Sequence, residues 1–164
     1  MRNDRQRAAS MGKCAGRERP KGASGRMNFT RERDRDFIRA CSAVMERYRR
    51  LGRSVTERRI VEEALRSGAP FYYISLDHSL ERVSKLLKDS SYGDRSIRCT
   101  ARREMWSEIT GKVAVELNRG RSTLTQCVAK VLERGSASRF FISLPYGIKI
   151  FRNHFKRQVG YEAV

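Results

Sequence analysis

One pattern occurs twice in this sequence, at a constant spacing of 68 residues and without gaps. The tripeptide Gly-Arg-Ser at 52–54 recurs at 120–122, and Ile-Ser-Leu at 74–76 recurs at 142–144. Each Ile-Ser-Leu follows two aromatic residues, tyrosines in the first stretch and phenylalanines in the second. Several motifs that share one spacing indicate an internal repeat, which constrains architecture more than any local pattern does. We therefore predict a tandem duplication.

Each copy is predicted to contain three helices. Apolar residues of the first copy recur at three- and four-residue steps, as on one buried helix face: Phe37, Ile38, Cys41, Val44, Met45, Tyr48 and Leu51. Gly52 would end this helix in a left-handed turn, and Ser54 would open the second helix through a capping box with Glu57. Pro70 prevents helix continuation, so Phe71–Ser75 is predicted to be extended, and its last residue to cap the third helix.

The fold class that follows is mainly α. Two tandem three-helix units, at 28–89 and 97–158, are expected to pack together into one globular domain. A polar loop is predicted at 89–96, between the units. The extended segments Phe71–Ser75 and Arg139–Ser143 are expected to pair as a small two-stranded antiparallel ribbon, which the helices would have to support.

The first 27 residues carry eight basic residues and two acids, among Gly, Ser and Ala, without an apolar period. Such a segment buries too little apolar surface to offset the entropy of ordering, so 1–27 is predicted to be a disordered basic arm. Two alternatives remain open. The segment also has the arginine content of an organelle transit peptide, although it lacks an amphipathic face. Translation could also begin at Met11 or Met27.

The charge balance points to a polyanionic partner. Lys and Arg number 36 against 18 acidic residues, a net charge of +18, and most of the basic residues are arginines. Arginine makes planar, forked contacts with phosphates and stacks on bases. We expect a nucleic-acid-binding protein, with double-stranded DNA ahead of RNA, acting as a regulator or accessory factor. The alternative is a protein-interaction adaptor without a nucleic-acid ligand, whose basic surface meets an acidic protein.

The third helix of the second copy is the expected groove reader, because it is rich in side chains that contact phosphates or base edges. The Gly-Arg-Ser motifs add a possible phosphate site at each second-helix start. The predicted nucleic-acid-binding residues are Arg53, Arg121, Lys149, Arg152, Asn153, Lys156 and Arg157. The alternatives are ordinary capping by Ser54 and Ser122, and a solvent-exposed C-terminal helix whose basic residues favour its negative dipole end.

The doubled aromatic segments raise a second mode of binding. Exposed rings beside arginine stack unpaired bases in single-strand binders. Alternation along an extended chain, however, places Tyr72 and Ile74 on one face and Phe71 and Tyr73 on the other. At least half of these rings are therefore expected in the core.

Catalytic and metal chemistry find little support. No P-loop, Ser/His/acid set or zinc-ligand spacing can be assembled, so we expect no enzyme, metal, cofactor or small-molecule ligand. Cys41 and Cys127 fall on apolar helix faces and are expected to be reduced. No apolar run approaches membrane-spanning length, so a soluble, cytoplasmic protein without a membrane partner is expected.

Overall fold

A computed structural model describes residues 29–159 apart from Arg121, and within this range the side chains of Asp94 and 156–159 are also left undescribed. The predicted arm at 1–27 lies outside the described residues. The described chain is mainly helical, as predicted. Its helices are α1 (Phe29–Arg50), α2 (Glu57–Arg66), α3 (Leu76–Lys88), α4 (Tyr92–Ser96), α5 (Thr100–Asn118), α6 (Leu124–Arg134) and α7 (Leu144–Val159).

The short helix α4 occupies most of the segment that was predicted to be a polar loop, and that prediction was wrong. Ser96 Oγ donates a hydrogen bond to the carbonyl of Tyr92, which satisfies one acceptor in the turn. Ile97, directly after α4, is buried and anchors the turn to the core. The polar composition of this segment predicted a loop because it gave no weight to Ile97, the one apolar residue that fixes the short helix against the core.

The start of α2 also differs from the sequence prediction. Thr56, rather than Ser54, is the N-cap, and its side chain accepts a hydrogen bond from the backbone N–H of Arg59. This start puts Val55 and Ile60 at the two positions of a hydrophobic staple, and both belong to the core cluster. The packing of these two apolar side chains therefore favours a helix that starts after Thr56 over one that starts after Ser54.

Several turn predictions are confirmed. Gly52 and Gly120 both have positive φ, of 61° and 68°, a backbone conformation that glycine adopts without the steric cost of a Cβ. Ser75 caps α3 by accepting a hydrogen bond from the N–H of His78. Helix ends also recur at similar places in the two halves: α1 and α5 end at 50 and 118, and α3 and α7 begin at 76 and 144.

Helices α3 and α7 each pack against the other half of the chain. Helix α7 packs on α1 and α2, and α3 packs on α5 and α6. Within the described residues α3 makes no helix–helix contact with α1 or α2. Each group of three packed helices is thus assembled from both halves, and the buried residues of both groups belong to one core cluster. Short-range periodicity shows which face of a helix is buried but leaves open which helix buries it.

The segments that join the second and third helices cross at the centre of the molecule. Ala69 and Ala137 form an antiparallel β-bridge, in which each N–H donates to the other's carbonyl at 3.0 Å. No strand extends this bridge among the described residues, and the predicted pairing partners Phe71–Ser75 and Arg139–Ser143 lie just beyond it. Because the bridge is antiparallel, these two segments leave it in opposite directions and do not face one another.

Candidate functional site

A cleft of about 460 Å³ lies between the crossing segments, the start of α5 and the start of α1. Seven aromatic residues line it, and so do five arginines, which define what we call the arginine cleft: Arg33, Arg82, Arg98, Arg102 and Arg139. His78 adds a further basic group, and no carboxylate occurs among the described lining residues. Four further hollows of the described surface each include at least one Asp or Glu. The cleft therefore combines positive charge with ring surface.

Three of the five arginines have polar partners. Arg33 forms an ion pair with Asp34 at 2.7 Å, and Arg139 forms one with Glu104. Arg82 Nη1 donates to the hydroxyl of Tyr92 at 3.1 Å, a neutral partner.

Arg98 and Arg102 form no ion pair with the acidic side chains that the structure describes, and both are largely open to solvent or to the cleft. Arg98 directly precedes the N-cap of α5 and Arg102 lies in the first turn, so both stand at the same end of this helix. Two guanidinium groups without an acidic partner among the described side chains, at one mouth of a cleft, would attract an anion from solution.

The start of α5 is itself unfavourable for positive side chains. Its N-cap is Cys99, whose side chain makes no capping hydrogen bond, and its first turn contains no acidic residue. The first N–H groups of a helix have no acceptor within the helix, and the dipole is positive at that end. The first turns of α1, α2 and α3 contain Glu32, Glu57 and Asp77, whereas those of α6 and α7, like that of α5, contain no acid. An external anion at Arg98 and Arg102 would supply the missing negative charge.

The aromatic residues divide between the core and the cleft, as alternation predicts for the first segment. Tyr72 and Ile74 are buried, while Phe71 and Tyr73 are partly exposed. The rings of Phe71 and Tyr73 meet edge to face at 6.2 Å. In the second segment the guanidinium of Arg139 lies 5.3 Å from the ring centre of Phe141. The cleft therefore offers ring surface beside arginine.

Tyr73 is the one non-glycine residue with positive φ in the described chain. A bulky side chain in this region is strained by about 1–3 kcal/mol, and such strain persists where the surroundings impose it. The Tyr73 hydroxyl donates to Asp36 Oδ2 at 2.8 Å. Burial, followed by the Asp36 hydrogen bond, raises the pKa of Tyr73 well above its usual value, so the phenol stays a donor. The bond holds the ring at the cleft wall.

Beneath the cleft, a polar network fixes the buried ring of Tyr72. The Tyr72 hydroxyl donates to Glu108 Oε1 at 2.6 Å, and Lys112 Nζ donates to both groups, at 2.6 and 2.8 Å. Ser138 donates to Glu108 through its N–H and its hydroxyl. Burial alone would raise the pKa of Glu108, but the hydrogen bonds from Lys112, Ser138 and Tyr72 outweigh it and lower the pKa to about 2.

The sequence-predicted site residues on α7 are not all together. Lys149 and Asn153 border one exposed hollow with Asp34 and Tyr146. Arg152 points to the other side of α7, where it forms an ion pair with Glu57 at 2.8 Å. One arginine of the predicted groove reader is therefore already paired with an acid of the protein.

Of the other predicted nucleic-acid-binding residues, the structure describes the side chain of one. Arg53 is exposed after α1 and borders a hollow with Phe155 of α7. Arg121 lies outside the described residues, as do the side chains of Lys156 and Arg157. Thr56 and Thr123 cap α2 and α6 with their own side chains, and the α6 cap is a full capping box with Gln126. The expected phosphate sites at Ser54 and Ser122 are thus not at the helix starts.

Arg33 connects the arginine cleft to the exposed side of α7. Its guanidinium lines the cleft and also lies 5.2 Å from the ring centre of Tyr146. Tyr146 in turn borders the hollow that contains Lys149 and Asn153. The two basic surfaces therefore meet across the start of α1, with Asp34 as the acidic residue between them.

None of the five cleft arginines was among the residues predicted from sequence. They come from α1, α3, the segment between α4 and α5, α5 and the second crossing segment, and only the packing of α3 on α5 and α6 brings them together. One local signal was available: Arg98, Arg102 and Arg103 surround a helix start that has no acid.

No protein family, curated protein or solved structure matches this chain. None of the described helices is long and apolar enough to cross a membrane. In the same part of the chain, no three His, Cys, Asp or Glu side chains are grouped so that they could hold a metal ion. Cys41 and Cys127 are buried, as their places on apolar helix faces predict, and both are free; burial raises the pKa of Cys41 to about 12.

Proposed function

We propose that this protein binds nucleic acid, with the arginine cleft as its principal phosphate-contacting site. The observation that carries the proposal is the set of five arginines in one cleft whose described lining has no carboxylate. Arg98 and Arg102 contribute most, because no protein acid neutralises them in the described structure. The net charge of +18 supplies the long-range attraction for a polyanion.

Duplex DNA is the ligand we expect first, since the exposed side of α7 adjoins the cleft. Lys149 and Asn153 offer a phosphate contact and a base-edge contact on this side. Arg33 and Tyr146 form the link between the two surfaces. A duplex along α7 would bring one backbone strand to the mouth of the cleft.

The test is a titration of labelled duplex and single-stranded DNA at several salt concentrations, with three double variants. R98Q/R102Q changes the cleft, R53Q/K149Q changes the surface predicted from sequence, and R49Q/R50Q is the matched control. Arg49 and Arg50 lie about 25 Å from Arg33 along α1 and are exposed. Each variant removes two positive charges.

We expect R98Q/R102Q to weaken binding about tenfold at low salt and to flatten the log–log salt slope by about 0.9 for each phosphate that the cleft no longer binds. The control should bind nearly as the parent does. No binding of either nucleic acid at low salt would overturn the proposal. Equal weakening by R49Q/R50Q would show that only total charge matters.

The same titration distinguishes nucleic-acid binding from the alternative function, a protein-interaction adaptor. An acidic peptide with the same charge as the DNA probe would bind as tightly if the cleft were made for an acidic protein. If the protein acts on nucleic acid, the peptide should bind more weakly, because it offers no bases for the aromatic residues.

We also propose that the two halves are copies of one ancestral unit, with their third helices exchanged. The equal spacing of helix ends, of Gly52 and Gly120, and of the bridge partners Ala69 and Ala137 supports this idea. In an experimentally determined structure, residues 29–88 should superimpose on the residues 68 positions further along. A different arrangement of the helices in the two ranges would contradict a common ancestral unit.

A further inference from the structure

We propose that the arginine cleft accepts one unpaired nucleotide of a DNA strand end, and that the protein therefore prefers duplexes with a single-stranded overhang. This inference rests on the proposed function and specifies what the cleft holds. It adds a base-contacting site to the phosphate contacts argued above.

The size of the cleft favours one nucleotide over a duplex. A volume of about 460 Å³ falls in the range of pockets that enclose single small molecules. Duplex DNA, whose major groove alone is about 12 Å wide, stays outside such a space. A base that has left the stack can enter it, at no unpairing cost when it belongs to an overhang.

The distribution of groups within the cleft matches the two parts of a nucleotide. Arg98 and Arg102 stand at the uncapped start of α5, where a phosphate would meet guanidinium groups and the free N–H groups of the first turn. Phe71 and Tyr73 present partly exposed rings within the same cleft. Base stacking on such rings depends little on sequence, because every base has a π-face.

The wall that would carry the base is held rigidly. Tyr73 has a left-handed φ and is fixed by its hydrogen bond to Asp36. On the adjoining side, the ring of His78 packs edge to face on the buried Trp106 at 5.5 Å. Rings that are positioned before binding lose little entropy when a base stacks on them, which favours affinity.

The experiment compares three DNA probes that share one short duplex, using the full chain. The first is blunt, the second has a short single-stranded overhang, and the third has an overhang of the same length in which the bases are missing. Free mononucleotide, added as a competitor, separates a strand end from a soluble nucleotide as the occupant.

We expect the overhang probe to bind about tenfold more tightly than the blunt probe, in line with one or two stacked bases. The probe without bases should lose most of this advantage. The exposed double variant R98Q/R102Q should reduce the overhang preference to less than about twofold, while R49Q/R50Q keeps it. Millimolar mononucleotide should compete only weakly, because it lacks the duplex contacts.

Three results would overturn the inference and leave the proposed function standing. The first is equal binding of the blunt and overhang probes. The second is an overhang preference that persists in R98Q/R102Q. The third is a probe without bases that binds as tightly as the probe with a complete overhang. Strong competition by mononucleotide would identify a soluble nucleotide as the occupant and overturn the strand-end assignment. Absence of binding to every probe would instead refute the proposed function.

Discussion

At the residue scale, Glu108 is the acid on which most of the polar contacts beneath the cleft converge. It accepts hydrogen bonds from Tyr72, Lys112 and Ser138, and these outweigh burial to lower its pKa to about 2. A group whose folded pKa is lowered contributes stability above its unfolded value, and that contribution is lost as the pH falls toward the folded value. The pH window of Glu108 therefore extends from about 4.5 down to about 2.

We predict that E108Q lowers the free energy of unfolding by about 1–2 kcal/mol at pH 7, because at least one buried donor loses its acceptor. The difference from the parent chain should shrink as the pH falls through that window. Urea unfolding at a series of pH values measures it. A difference that stays constant down to pH 2 would show that the Glu108 charge has no role. The exposed E81Q is a control in which only a small change is expected.

A second residue-scale prediction concerns the Tyr72 hydroxyl. In Y72F the ring keeps its buried place, but Glu108 and Lys112 lose one shared partner. We expect a loss of about 1 kcal/mol in unfolding free energy and a modest loss of DNA affinity, since the floor of the cleft loosens. An unchanged midpoint in urea would mean that water replaces the hydroxyl without cost.

At the element scale, the helices could be predicted from the sequence, but the helices against which they pack could not. Periodic apolar residues around Phe37, the left-handed glycines and the Ser75 cap were predictable, because each depends on neighbours in the chain. The start of α2 was missed, since Ser54 and Thr56 are both good caps and Val55 decides between them only through the core. The cleft was missed because its arginines meet only after the third helices are exchanged.

The exchange can be tested at Gly147, where α7 crosses the first half. A Cβ at this position would lie 3.0 Å from Val61 Cγ1 and 3.3 Å from Phe37 Cζ. We predict that G147V destabilises the protein by about 2–3 kcal/mol through overpacking. The matched control is G111V in the middle of α5, where a Cβ meets nothing within 4 Å.

For G111V we expect a neutral or slightly stabilising effect, because valine is a better helix former than glycine. Thermal or urea unfolding of the two variants gives the comparison. Equal destabilisation at both positions would contradict the packing of α7 on α1 and α2.

At the scale of the whole molecule, each group of three packed helices draws on both halves of the chain. A cut in the connection between α3 and α5 should therefore leave the halves bound to one another. We predict that a protease site inserted at Ser90–Ser91, which is exposed, can be cleaved without separating the fragments in gel filtration. Denaturation in urea should separate them. Fragments that part in native buffer would show that each half has its own core.

The arginine cleft is likewise a property of the whole molecule, because it takes Arg33 from α1, Arg82 from α3, Arg102 from α5 and Arg139 from the second crossing segment. Photo-crosslinking of the full chain to a DNA strand with an overhang, followed by peptide mass spectrometry, locates the contact most directly. We predict crosslinks in the peptides that carry Phe71, Tyr73 and Phe141, and their loss in R98Q/R102Q. Crosslinks confined to residues 1–28 or to the exposed side of α7 would contradict the cleft as the nucleic-acid site.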